Sequence, residues 1–368
     1  MSVFPGFRRD LVAESRPQSS HDVWLLVATA LLILTGFMAI YSVDSIKFDG
    51  HYTVRQVAYA GIGLIVFAVF SRLKLSFLRN ISTWLYVLNI LMLVAVFFVG
   101  RARGEAQRWI DIGPLGFQPS DPSKILLTIT LASYYANRLE DIREFKVFLG
   151  SIVHVSVPIL LVFMQPHLGG AVALLVIWGV ISIYAGVPWK YFIVAGSLLA
   201  ALISMAWFTP GVLSDYQRKR VYDFVNPDPR AGGYQATRSI IAIGSGGLVG
   251  AGYLKGEQKA AEYIPEQHND FVFSVIGEEG GLIGSTVVLG IFAFFFYRVW
   301  LVGFRTRSAM DRMVVGGLFG VLAFHTIVNL GMVLQLTPVV GLWLPFLSAG
   351  GTALWTCLAA VGILDNIR

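Results

Sequence analysis

Long apolar runs separated by short polar stretches recur along all 368 residues. They predict about ten membrane-length helices, near 23–41, 54–71, 82–100, 122–138, 148–165, 169–187, 189–208, 270–303, 312–335 and 348–366. The runs lack the ten-residue alternation of a transmembrane barrel. The expected fold is therefore an all-α polytopic membrane protein, a single integral domain over 1–368. Pro158, Pro166 and the pair Gly169–Gly170 interrupt the pattern. Such breaks are tolerated only where protein or a wet cavity satisfies the backbone. Residues 1–22 are too polar and too mixed in charge for a cleaved signal, so the first run is expected to stay as a helix.

The polar connections then set orientation. An even number of spans puts both termini on one side. With the N-terminus inside, about fifteen Lys and Arg fall in inner segments against about six in the short outer loops, so both termini are expected to be cytoplasmic. Residues 209–269 form a large extracellular loop between the seventh and eighth helices, a functional rather than a connecting length. Its Lys and Arg do not overturn the orientation, since long loops are largely exempt from the charge bias. Composition agrees: 56% of residues are hydrophobic and 14% charged. The net charge of +6 is explained by inner loops of a membrane protein, which argues against nucleic acid as a partner. The single Cys357 leaves no disulfide framework within the chain.

Candidate chemistry gathers at the outer side. In QHNDFVFSVIGEEGG, residues 267–281, Asp270 stands at the head of an apolar run. A helix start favours its ionised form. There it is a competent general base, or a plain helix N-cap. Glu278 falls on the same broad side of a helix as Asp270, and Glu279 points away. Acids in a span are costly and line an interior, a cavity or a structural pair. The segment 106–124 combines Arg108, Trp109, Asp111, Gln118, Ser120, Asp121 and Lys124. It reads as an interfacial segment or a sugar site. Ser120-Asp121-Pro122 marks a helix start, and Asp121 and Lys124 are spaced to pair. Arg218, Lys219 and Arg220 form an outer cationic cluster suited to pyrophosphate or to anionic headgroups. The glycine-dense 241–258 fits no nucleotide-binding spacing and reads as a flexible or close-packed loop. Asn329, Gln335 and residues 344–355 suggest helix breaks and close packing.

Together AQRWIDIG, FQPSDPSK, YQRKRV, GGYQATRSIIAIGSGGLVGAG, IPEQHNDFVFSVIGEEGG, NLGMV and LPFLSAGG resemble the SEDS family of bacterial cell-wall proteins, in the same order and over nearly the whole chain. The wording is nearer its RodA branch than FtsW or SpoVE. The resemblance implies a peptidoglycan glycosyltransferase of the cytoplasmic membrane, active on its outer face in cell elongation and shape maintenance. It implies inverting polymerisation of lipid II with loss of undecaprenyl pyrophosphate. A base for the acceptor hydroxyl and positive charge for the leaving group are needed. Asp270 matches the family's essential acid. Trp109, Arg108, Lys124, Arg218, Arg220, Gln235 and His268 are then expected to bind substrate, with Asp121, Glu266, Glu278 and Ser348 in support. The implied partners are a class B penicillin-binding protein and other elongation-complex membrane proteins. Departures stand at His167, where an Asp is usual, at Asn269, at Ala349, where a Tyr is usual, and at Asp121, usually Glu. The resemblance names no definite cofactor, and outer acids can hold a divalent cation such as Mg²⁺ through few ligands and several waters.

Two other classes compete. A lipid II flippase would keep its acids near the midplane; Asp270 at the outer end favours surface chemistry, while the deeper Glu278 and Glu279 keep the transport reading open. A non-catalytic scaffold would tolerate Asp270→Asn, which preserves a cap's hydrogen bond.

Overall fold

A computed structural model describes residues 21–47, 50–103, 106–112, 115–209, 218, 222, 234–257 and 267–367. Each of the ten apolar runs carries a helix. They are α1 (Val23–Lys47), α2 (His51–Phe70), α4 (Ser82–Val99), α5 (Ser120–Ala136), α6 (Phe145–Met164), α7 (Leu168–Ala185), α8 (Trp189–Phe208), α10 (Val272–Arg305), α11 (Ala309–Val333) and α12 (Gly351–Ile367). Among the described residues there are also two shorter helices, α3 (Leu75–Asn80) and α9 (Tyr234–Ser245). Among the described residues, eight helices are long and apolar enough to cross a membrane. The other two of the ten, α5 and α12, have 17 residues each.

The strongest packing joins α12 to α2, α11 to α7 and α1 to α10. Helix α5 is the axis, touching α4, α6, α7, α11 and α12. Its ring of neighbours explains its composition. Asp121, Ser123, Lys124, Thr128, Thr130 and Ser133 are all buried, which suits a helix that meets protein rather than lipid on every side. Helix α6 continues through Pro158. Proline has no N–H for the carbonyl four residues back, so His154 loses its helical donor. The Tyr86 hydroxyl replaces it, donating to His154 O at 2.9 Å.

Two segments differ from the sequence expectation. Residues 101–117 form a three-stranded antiparallel sheet, β1 (Arg101–Arg103), β2 (Ala106–Ile112) and β3 (Leu115–Phe117), in that order. Arg101 pairs with Trp109 and Asp111 with Gly116. Strands this short, with arginines in them, carry no apolar alternation to read. Within the expected outer loop, α9 buries Ala236, Ser239 and Ala242 at three-residue intervals, a helical face.

Helix α10 is broken at Gly281, whose φ of 60° and ψ of −160° lie outside the helical region. The glycine-dense loop after α9 satisfies the freed backbone. Ala251 and Gly252 donate to the carbonyls of Glu278 and Glu279 at 3.0 and 3.1 Å. Leu282 and Ile283 donate to Gly247 and Leu248 at 2.9 and 3.1 Å. Close approach explains the glycines: a Cβ on Gly281 would stand 2.3 Å from Gly250 N. The sequence reading of close packing is the one realised here.

The bundle end opposite α10's first turn is tied by polar side chains. Arg298 donates to both Asp22 oxygens at 2.7 and 2.8 Å. His21 Nδ1 lies 2.6 Å from Asp365, which also accepts from Asp22 N at 2.9 Å.

Candidate functional site

At the other end, where α5, α7, α10 and α12 begin, irregular backbone meets in one place. Asp270 is in the turn 267–271, and α10 starts at Val272. The N-cap position is Phe271, which makes no side-chain cap bond. Asp270 stands one residue ahead of it and is half-buried rather than sealed. Gly341 is the neighbour that locates its carboxylate. A Cβ on Gly341 would lie 3.6 Å from Asp270 Oδ2 and 4.0 Å from Arg108 Nη1. Carboxylate and guanidinium therefore converge on the same stretch of backbone. The φ of +67° at Gly341 suits glycine.

Both groups are held from behind. Arg108, on β2, donates through Nη2 to Pro166 O at 2.7 Å, just before α7. The Asn329 amide of α11 donates to Asp270 O at 2.8 Å and to Leu342 O at 2.7 Å. Ser348 accepts from Leu344 N and donates to Asn269 O, both at 2.7 Å. Ala349 N donates to His268 O at 2.9 Å. The turn bearing Asp270 and the segment 341–349 are thus laced together across three carbonyls. The buried His268 ring packs on Tyr52, centroids 4.1 Å apart.

Asp121 and Lys124 pair as their spacing predicts, at 2.7 Å. Both side chains are 1% exposed, so the ammonium faces its carboxylate rather than the solvent. Trp343 completes this group: its indole N–H donates to the same Asp121 Oδ1 at 2.9 Å. Lys124 Nζ lies 4.8 Å from the Trp343 ring centre. The buried His325 stacks on that ring at 3.9 Å. Beside it, His167 Nδ1 is 3.2 Å from Ser120 Oγ and 3.4 Å from Gln118 Nε2.

The remaining residues singled out by sequence lie elsewhere. Trp109 follows Arg108 on β2, half-buried. Asp111, further along β2, is half-buried as well. Arg218 donates to Thr209 O at the end of α8, at 2.8 Å. Gln235 is half-buried in the first turn of α9. Arg220 and Glu266, together with Lys219, lie outside the described residues. Glu278 is buried against the glycine loop, where a Cβ on Gly256 would be 2.8 Å from its carboxyl carbon. Glu279 accepts from Ser42 of α1 at 2.5 Å. Burial pushes the Tyr253 phenol of this loop above its usual range, and the Glu279 charge adds to the effect. The two glutamates thus belong to the break in α10.

Sequence reasoning passed over Gly341, Trp343 and His325. It noted Asn329 only as a packing signal. Polar side chains in an apolar span were the available clue for His325 and Asn329.

The chain matches the family profile of FtsW, RodA and SpoVE, described as cell cycle proteins, over residues 23–368. It is 35% identical over 346 residues to peptidoglycan glycosyltransferase MrdB of Escherichia coli strain K12, covering 94% of this chain and 92% of that protein. It is 32% identical over 362 residues to stage V sporulation protein E of Bacillus subtilis strain 168, covering 95% and 97%. Among solved structures, it superposes on Thermus thermophilus rod shape determining protein RodA with a TM-score of 0.71 at 27% identity, covering 96% and 98%. A chain solved in work on the structural coordination of polymerization and crosslinking by a peptidoglycan synthase complex gives 0.80 at 29% identity, covering 95% and 98%.

Proposed function

Since the chain belongs to the FtsW–RodA–SpoVE family, we propose that it is a multi-pass membrane peptidoglycan glycosyltransferase that polymerises lipid II at the outer face of the cytoplasmic membrane. The convergence of Asp270 Oδ2 and Arg108 Nη1 on Gly341 is the observation that carries this reading. Chain growth needs a hydroxyl of one sugar to attack the anomeric carbon of another, with undecaprenyl pyrophosphate leaving and the centre inverting. Asp270, open to the site, takes the hydroxyl proton. Arg108 supplies fixed positive charge a few ångströms away, where negative charge develops on the leaving group or acceptor. By the resemblance in sequence, Arg218 and Arg220 are assigned to the pyrophosphate, and Trp109, Gln235 and His268 to the rest of the substrate. Lys124 acts at one remove, through the Asp121 pair and Trp343.

A divalent cation at the pyrophosphate would rest on few protein ligands and several waters. Among the described residues, no three or more His, Cys, Asp or Glu stand together to hold one. The likeness to RodA and to a chain of a synthase complex supports work in cell elongation beside a class B penicillin-binding protein.

A flippase reading draws on the broken α10 with Glu278 and Glu279 buried at the break, since discontinuous helices mark many transport sites. One preparation separates the two. The purified chain with its transpeptidase partner is given labelled lipid II in detergent and, separately, in liposomes. Glycan ladders on a gel support polymerisation. Translocation without polymer supports transport.

A further inference from the structure

We propose that Trp343 is a positioning residue, which hangs the Gly341 segment on the buried Asp121–Lys124 pair and so sets the alignment of Asp270 with Arg108. This rests on the reading of Asp270 as the base of the site.

Four contacts fix Trp343. Its indole N–H donates to Asp121 Oδ1 at 2.9 Å, an oxygen that also accepts from Lys124 at 2.7 Å. The Lys124 ammonium lies 4.8 Å from the ring centre. The His325 ring stacks on it at 3.9 Å, and His325 Nδ1 lies 3.3 Å from its backbone carbonyl. A fully buried ion pair is a poor source of stability, because desolvation offsets most of the attraction. It is a good source of direction. A carboxylate oxygen held by Lys124 has little freedom, so the indole bonded to it has little as well.

What Trp343 holds lies two residues away. Gly341 is the backbone on which Asp270 and Arg108 converge. Leu342, between them, is bonded through its carbonyl to Asn329, the same amide that holds Asp270 O. Leu342 also fills the space over Gly169, where a Cβ would meet its side chain at 2.8 Å. The segment therefore joins α5, α7, α11 and the Asp270 turn, and Trp343 is its peg into α5. Misplacement by a fraction of an ångström is enough to slow a reaction that depends on aligned groups.

Trp343→Phe tests this, because it removes the indole N–H and keeps an aromatic ring. With labelled lipid II and the partner present, kcat is expected to fall about tenfold with KM changed less than about twofold, the mark of lost alignment rather than lost binding. Hydrogen exchange of the full chain in detergent is expected to quicken roughly threefold or more in peptides covering 267–271 and 340–349, and not in α2 or α4. An unchanged kcat would overturn the proposal. So would unchanged exchange in those peptides, or a rise spread over the whole bundle, which marks a plain packing residue. If the wild type makes no polymer, the glycosyltransferase reading fails on its own, and the exchange pattern still decides whether Trp343 holds the segment.

Discussion

Irregular backbone at the Asp270 end is fixed by single side chains, Asn329 on two carbonyls and Ser348 across two loops. At the opposite end, regular helices are tied at their ends by an ion pair, Arg298 to Asp22, and a hydrogen bond, His21 to Asp365. The first arrangement places atoms and the second holds helix ends together. Chemistry needs the former, because a turn without its own ladder of bonds keeps its shape only through the side chains that reach it. Damage should therefore be sharper at the site end, where a lost bond leaves a backbone group of an irregular turn unpaired, than at the opposite end.

Four substitutions break or sharpen that contrast, from the largest effect to the smallest. Gly281→Ala should cost more than about 4 kcal/mol, because its Cβ would meet Gly250 N at 2.3 Å and Leu248 O at 2.8 Å at a positive φ. Loss of folded protein on size exclusion checks it. Asn329→Ala should cost about 2–3 kcal/mol, since one buried and one partly buried carbonyl lose a donor. A lowered thermal midpoint, with glycan synthesis lost before the helix signal, is the expected pattern. Arg298→Gln should cost about 1–3 kcal/mol, with activity per folded molecule unchanged. If it abolished turnover in folded protein, the division between the two ends would be wrong. His21→Ala should cost less than about 1 kcal/mol, because the imidazole is 70% exposed. Thermal melts of wild type and variant side by side are sufficient for it.

The helices were legible because apolar runs of spanning length report on lipid whatever the helices later touch. The Asp121–Lys124 pair was legible because three residues make one helical turn. Trp343 was not, because its partner Asp121 is 222 residues away and no local spacing links them. Asp270 was found as an acid at the head of a run, yet its place ahead of the cap depends on how 341–349 grips the turn. The glycine-dense loop was readable as close-packed. That it zips onto the break at Gly281 follows only from the pairing of two distant segments.

The most direct test of the account is turnover of labelled lipid II by Asp270→Asn, purified with the transpeptidase partner. The substitution keeps size and hydrogen-bonding and removes the carboxylate proposed as the base. A loss of polymer of at least about a hundredfold is expected, with folding and partner binding intact. Polymer at the wild-type rate would contradict it, leave Asp270 a structural residue and move the chemistry elsewhere.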